Sequence, residues 1–175
     1  MRVVTVFGGA NPGPADYEQA MKLGRLLGQA GCAVMTGGYI GTMEAISRGA
    51  SEAGGHVIGV TCEEIEAWRP VHPNQWIKEE RRFATLRERL FELIDGCQAA
   101  IALPGGPGTL AEIALSWNHL VIGENRRPLI LVGVQWQELM GQFFQSFSEY
   151  IPVHQRQMLK FAATVEEAAQ GAIEA

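Results

Sequence analysis

The part of this chain best suited to chemistry is the segment ALPGGPGTLAEIAL, residues 102–115, which places three glycines and two prolines before a helix-like stretch. A turn that lacks side chains lets backbone N–H groups approach an anion closely, and the following helix adds the positive end of its dipole. We expect Thr109 to cap this helix and to offer its hydroxyl group to a phosphate oxygen. The predicted phosphate-binding residues are Pro104, Gly105, Gly106, Gly108 and Thr109.

Glu112 follows three residues after Thr109, about one helical turn beyond the predicted phosphate site. A group attached to the bound phosphate would reach this carboxylate, which could stabilise a developing positive charge or orient a water molecule. The alternative is a glutamate that stands in the first turn only because the helix dipole favours it.

Two more glycine-rich segments follow apolar runs, FGGANPG and TGGYIGTMEA. In an open α/β sheet, the loops at the carboxyl ends of the strands lie at one edge, where ligands bind. Such glycines also permit tight turns without any ligand, and polar residues at helix starts also act as caps, so both alternatives stay open. The further predicted binding residues are Gly9 and Asn11 from the first loop and Gly38, Thr42, Met43 and Glu44 from the second.

Short apolar runs alternate with helix-like segments along the chain, as in a parallel sheet covered by helices on both faces. We predict one domain over residues 1–175, with a three-layer, doubly wound, mostly parallel α/β fold of the Rossmann-like type. Residues 61–77 carry no clear period. The predicted strands are 3–7, 32–36, 56–60, 98–103 and 128–133, and the predicted helices are about 16–30, 42–54, 78–95, 109–122, 136–148 and 165–174.

The composition argues against several classes of partner. The net charge is −5 and no long basic run exists, so a nucleic acid is not expected as the ligand. The longest apolar stretch, AAIALP, is far shorter than the ~20 residues of a membrane-spanning helix, so no membrane partner is expected. Three widely separated cysteines suggest reduced thiols in a cytoplasmic protein. The four histidines lack metal-ligand spacing, so no metal site is predicted.

The glycine loops also resemble known motifs. PGGPGTLAE is similar to the PGGxGTxxE signature of the LOG family, the cytokinin riboside 5′-monophosphate phosphoribohydrolases. GGYIGTMEAISRGASEAGG looks like the second glycine loop and helix of the same Rossmann-like superfamily. VFGGANPG resembles its first loop, with Ala10 and Asn11 in place of the usual serines. The resemblance covers about residues 3–133.

This resemblance implies hydrolysis of the N-glycosidic bond of a nucleoside 5′-monophosphate, such as a cytokinin riboside monophosphate or an AMP-like nucleotide. The products are a free base and ribose 5-phosphate, and neither a metal nor an organic cofactor is implied. Glu112 corresponds to the glutamate of the family's catalytic pair, and counting back without a gap from ALPGG makes Arg89 the arginine. Family members are usually dimers, so we expect a homodimer through the helix at 78–95 and the helix after 109.

The resemblance has departures that keep a second hypothesis open. Leu90, Leu93 and Ala111 replace a lysine, a methionine and a glutamate of the family pattern. Under this second hypothesis, the chain is a binding module that holds a nucleotide or a phosphorylated cofactor without cleaving it. Related Rossmann proteins include molybdenum-cofactor carriers. Arg89 could hold the leaving base or the phosphate, or its side chain could run along the edge of the core. The sequence leaves the roles of Arg82 and Arg87 open.

Overall fold

The computed structural model describes residues 1–123 and 127–175, in which strands and helices alternate. The strands are β1 (Val3–Phe7), β2 (Ala33–Thr36), β3 (His56–Cys62), β4 (Glu79–Phe83), β5 (Ala99–Ala102), β6 (Leu129–Val132) and β7 (Leu159–Ala162). The helices are α1 (Pro14–Gln29), α2 (Thr42–Glu52), α3 (Glu63–Trp68), α4 (Leu86–Asp95), α5 (Pro107–Val121), α6 (Val134–Ser146), α7 (Val153–Arg156) and α8 (Val165–Glu174).

The described strands form one parallel sheet in the order β4-β3-β2-β1-β5-β6-β7. The order reverses between β1 and β5, which pair directly, so the loops that leave these two strands lie side by side. This topology confirms the predicted three-layer, Rossmann-like α/β fold. Among the described residues, no helix is both long and apolar enough to cross a bilayer.

Each face of the sheet has its own apolar core. On one face α1, α2 and α8 pack through residues such as Leu23 and Ile46, which are fully buried. On the other face α4, α5 and α6 pack through residues such as Leu93 and Ile113. Burial of one such side chain stabilises the fold by about 1.5–3 kcal/mol, so the two cores fix the strands and the loops at their ends.

The predicted helix over 78–95 is wrong in its first half, because Glu79–Phe83 forms the edge strand β4. The charged sequence EERRF lacks the apolar character of the other strands. Its side chains are satisfied by ion pairs, such as Arg81 with Glu79 and Glu92. A capping box between Thr85 and Glu88 starts α4, and this Thr-x-x-Glu pattern was the available sequence signal for the true helix start.

Three short elements lie outside the sequence prediction. α3 falls within the segment that showed no period, and α7 and β7 lie between two predicted helices. Strand β7 is partly exposed and contains a lysine, so it does not stand out as an apolar run. Elements of four to six residues are too short for hydrophobic periodicity to identify them.

Candidate functional site

The three glycine loops meet at the carboxyl edge of the sheet. The N–H group of Gly9 donates to the carbonyl of Pro104 at 3.2 Å, which joins the first loop to the loop after β5. The N–H group of Thr42 donates to the carbonyl of Gly9 at 3.0 Å, which joins the second loop to the first. A side chain at Gly8 would collide with that of Thr42, so the loops can approach only because Gly8 has none.

A cavity of about 590 Å³ opens at this junction. It is large enough to hold a small ligand such as a mononucleotide. Among the described residues, no group of three or more His, Cys, Asp or Glu side chains is placed to hold a metal ion. Of the residues predicted from sequence, those that line the cavity are Gly9, Asn11, Met43, Arg89, Pro104, Gly105, Gly106, Gly108, Thr109 and Glu112.

The other three predicted residues do not line this cavity. Gly38 adopts a φ of +81° that favours glycine, and its carbonyl accepts hydrogen bonds from the backbone and side chain of Asn74. Thr42 is 2% exposed and begins α2 against the first loop. Glu44 is half-buried in the first turn of α2. Gly38 and Thr42 therefore shape the loops that surround the cavity.

The predicted anion cradle lies at the start of α5. Helix α5 begins at Pro107, so Thr109 is its third residue rather than its cap, which corrects the prediction. The cap residue is Gly106, and no side chain caps the helix. Added Cβ atoms at Gly106 and Gly108 would meet nothing within 4 Å. Space is therefore open beside both glycines. The N–H groups of Gly108 and Thr109 have no acceptor within the helix, and the helix dipole favours an anion there.

Arg89 is buried, with 6% of its surface exposed. Its Nε donates to the carbonyl of Val60 at 2.7 Å and its Nη2 donates to the carbonyl of Gly37 at 3.0 Å. The guanidinium lies 5.6 Å from the ring centroid of Tyr39. Arg89 therefore ties α4 to β3 and to the second glycine loop, and Nη1 takes part in neither of these hydrogen bonds. Its side chain is held firmly in the wall of the cavity.

Glu112 lies in the first turns of α5, and its half-buried side chain lines the same cavity as Arg89. Burial raises the pKa of Glu112 to about 7, and the positive charge of Arg89 offsets part of that rise. A carboxyl group with a pKa near neutrality can exchange a proton during a reaction. The cavity thus combines the predicted anion cradle with a titratable carboxyl group.

A match to a protein-family model shows which family this chain belongs to. The model described as the SLOG cluster4 family matches residues 1–160. The chain belongs to the SLOG cluster4 family. Its match to that family includes all three glycine loops and the cavity.

Individual relatives have names that state an activity. This SLOG protein is 35% identical over 138 residues to the probable cytokinin riboside 5′-monophosphate phosphoribohydrolase LOGL5 of Oryza sativa subsp. japonica. It is 34% identical over 134 residues to the cytokinin riboside 5′-monophosphate phosphoribohydrolase of Rhodococcoides fascians. These matches include 76% and 74% of this chain, but only 54% and 66% of those relatives. The chain thus spans less than two thirds of either curated relative.

Solved structures show the same fold. The molybdenum cofactor binding protein of Rippkaea orientalis superposes with a TM-score of 0.76 and 24% sequence identity. That similarity covers 97% of this chain and 93% of the other. At this identity the comparison supports the architecture of the SLOG protein and leaves its ligand open.

The sequence prediction missed the part of the SLOG cavity wall that comes from α3 and the second glycine loop. Ile65, Trp68 and Arg69 line it, and so does Tyr39. Burial raises the pKa of Tyr39 to about 12, so its hydroxyl stays protonated and bonded to Cys62 and Glu66. The sequence feature that could have pointed to this wall is the WRP motif, in which an aromatic residue precedes an arginine. It lies in residues 61–77, which otherwise lack apolar residues at regular spacing.

Replacing Gly105 with alanine is expected to lower the free energy of unfolding by about 1–3 kcal/mol. A Cβ at this position would overlap the hydroxyl of Thr109 and lie 3.0 Å from the N atom of Gly9. The matched control is Gly108→Ala, since its Cβ would meet nothing and alanine suits a helical position better than glycine, so we expect no loss of stability. Urea unfolding measures both variants, and equal losses for the two would contradict the close approach of the loops.

The pH dependence of the free energy of unfolding should report the protonation state of Glu112. We expect the free energy of unfolding of the wild type to fall relative to Glu112→Gln as the pH rises from about 5 to 8. Between the usual pKa of 4.5 and the raised value of about 7, the folded chain keeps a proton that the unfolded chain has released. Stability from this group is therefore full below pH 4.5 and is lost as the pH rises through about 7. Urea unfolding of both proteins across this range tests it, and a constant difference would contradict the raised pKa.

Proposed function

We propose that this SLOG protein hydrolyses the N-glycosidic bond of a nucleoside 5′-monophosphate and releases a free base and ribose 5-phosphate. The observation that carries the proposal is the position of Glu112, which lines the cavity one helical turn beyond an open anion cradle. The names of the curated relatives support the same reaction class. The names of the relatives make cytokinin riboside monophosphate and AMP-like nucleotides the first compounds to test as substrates, and GMP and IMP belong in the same panel.

The 5′-phosphate binds the bare amides of the loop after β5 and of the first turn of α5. This placement brings the ribose towards Glu112, whose ionised carboxylate stabilises the positive charge that develops on the sugar. The bond between C1′ and the base nitrogen breaks, and a water oxygen forms the new bond to C1′. One proton of that water ends on the departing base. The carboxylate also orients the attacking water.

Arg89 supports this arrangement from α4. Its charge favours the ionised form of Glu112, because it lowers a pKa that burial raises. Its hydrogen bonds to Val60 and Gly37 hold the guanidinium in place. We propose that Nη1, which these bonds do not use, contacts the bound nucleotide.

A panel of nucleoside 5′-monophosphates tests the reaction. We expect chromatography to show a free base and an equal amount of ribose 5-phosphate for at least one nucleotide. The corresponding nucleosides, which lack the phosphate, should react far more slowly because the cradle then contributes no binding. Absence of base release from every nucleotide would contradict the hydrolase proposal.

A second candidate function is a carrier that holds a nucleotide or a molybdenum-cofactor-like molecule without cleaving it. The observation that favours it is an open anion cradle combined with the departures at Leu90, Leu93 and Ala111. Under this alternative, a phosphorylated ligand raises the melting temperature of the protein but is recovered intact. Recovery of the intact ligand after long incubation distinguishes a carrier from an enzyme.

We also propose a homodimer, in which the exposed apolar surface of α4 and α5 is covered by a second copy. Leu86, Phe91 and Leu110 are each more than a third exposed on these helices. Sedimentation velocity should give the mass of a dimer, and Phe91→Glu should shift the protein towards the monomer.

A cytoplasmic location is proposed as well, since Cys32, Cys62 and Cys97 are buried free thiols.

A further inference from the structure

The wall of the cavity formed by α3 presents an aromatic and a cationic side chain together. Trp68 is 80% exposed although it lines the same cavity as Glu112. The guanidinium of Arg69 lies 5.7 Å from the ring centroid of Trp68. An exposed indole is a large apolar surface left in water, and its burial by a planar ligand would be favourable.

Ion pairs and hydrogen bonds attach α3 to the rest of the fold. Glu66 forms an ion pair with Arg82 at 2.7 Å and accepts a hydrogen bond from the hydroxyl of Tyr39 at 3.2 Å. The carboxylate of Glu64 accepts a hydrogen bond from the N–H group of Leu86 at 2.7 Å. These contacts anchor the first turn and the middle of α3, which places Trp68 and Arg69 at the mouth of the cavity.

Arg69 carries a hydrogen-bonding group that its surroundings leave unsatisfied. Its Nε is buried, and no described residue accepts a hydrogen bond from it. A buried donor without an acceptor costs about 1–3 kcal/mol, so a rotation of the Arg69 side chain that brings its guanidinium to an acceptor on a ligand is favoured. A guanidinium has donors only, arranged in a planar fork. Its best partner is therefore a planar group with two adjacent acceptors.

We propose that Trp68 and Arg69 recognise the base of the nucleotide and select a 6-oxopurine, as in GMP or IMP, over adenine. The indole stacks on the base, and the guanidinium donates to N7 and O6, two adjacent acceptors of a 6-oxopurine. Adenine offers N7 but presents an amino donor in place of O6, so it satisfies only half of the fork. This inference rests on the proposed function, because the phosphate in the α5 cradle brings the base to the α3 wall.

Binding measurements on the Glu112→Gln protein test the selection without turnover of the ligand. Isothermal titration calorimetry should give GMP and IMP affinities about tenfold tighter than that of AMP. Arg69→Lys keeps the charge but not the fork, so it should remove this preference while the affinity for ribose 5-phosphate stays unchanged. Trp68→Ala should weaken all three nucleotides about tenfold and leave ribose 5-phosphate unaffected.

A second tryptophan–arginine pair provides the matched control. Arg48 lies 5.7 Å from the ring centroid of Trp76, and neither residue lines the cavity. Arg48→Lys should therefore change neither the ratio of GMP to AMP affinity nor the affinity for ribose 5-phosphate. A shift of the ratio in this control as large as that of Arg69→Lys would overturn the assignment to Arg69.

The possible results separate this inference from the proposed function. If ribose 5-phosphate binds but AMP or N6-isopentenyl-AMP binds as tightly as GMP, the 6-oxopurine selection is overturned and the hydrolase proposal stands. A loss of ribose 5-phosphate affinity in Arg69→Lys would make Arg69 a phosphate contact and would also overturn the selection. If neither ribose 5-phosphate nor any nucleotide binds, both proposals are overturned.

Discussion

Glu112→Gln is expected to lower kcat for release of the base about 100-fold or more. The substitution keeps the size and shape of the side chain but removes its negative charge. The affinity for ribose 5-phosphate should change little, because the proposed binding site of its phosphate is the α5 cradle. Chromatographic rates at saturating nucleotide, together with calorimetry of ribose 5-phosphate, measure the two quantities separately.

The size of this effect follows from the position of the charge. Glu112 lines the cavity one helical turn beyond the loop that joins three glycines to the start of α5. An interaction made mainly with the cationic transition state lowers the barrier without tightening ground-state binding. Removing one such preorganised group in other enzymes slows the reaction about 100- to 1000-fold, equivalent to roughly 3–4 kcal/mol. A neutral amide cannot supply this stabilisation.

Glu138→Gln is the control, because Glu138 is an exposed residue of α6 outside the cavity. It should retain the wild-type rate and the wild-type affinity for ribose 5-phosphate. If Glu112→Gln released the base as fast as the wild type, the carboxylate would have no part in the chemistry. The position of Glu112 would then reflect only the preference of glutamate for the first turns of a helix.

The fold was predictable where the sequence contained both an apolar run and a glycine exit. β1, β2 and β5 have these features, so their positions and the meeting of their loops could be inferred. β4 lacks both, because it is an edge strand whose side chains are satisfied by ion pairs with residues distant in sequence. Arg82 pairs with Glu66, sixteen positions away, and such a contact leaves no local periodicity. The strand conformation of β4 therefore depends on tertiary contacts rather than on a local sequence pattern.

The candidate site was predictable to a similar degree. The cradle at Gly105 and Gly106 follows from local rules about glycine and helix starts. The inward position of Arg89 depends on the carbonyl of Val60, which belongs to another element. Trp68 and Arg69 enter the cavity because contacts between α3 and its neighbours turn them towards it. The sequence shows that these two residues are a tryptophan and an arginine, but no spacing in it connects them to Glu112.

Arg89→Met is expected to lower the free energy of unfolding by about 3 kcal/mol or more. Methionine has a similar length but donates no hydrogen bond. The carbonyls of Val60 and Gly37 would lose their bonds to Arg89, each a charge-assisted bond worth roughly 1.5–3 kcal/mol. Urea unfolding near neutral pH gives the loss directly.

The same substitution should raise the pKa of Glu112 further, since the charge of Arg89 is what lowers it. The free energy of unfolding of Arg89→Met should therefore change relative to that of the double variant Arg89→Met/Glu112→Gln at a higher pH. The reference is the pH at which the wild type changes relative to Glu112→Gln. Arg87→Met is the matched control, because Arg87 is exposed on the same helix, and its effect should stay within about 0.5 kcal/mol. Equal losses for Arg87→Met and Arg89→Met would mean that the charge of α4 as a whole matters, rather than the two carbonyl contacts that fix Arg89 beside Glu112.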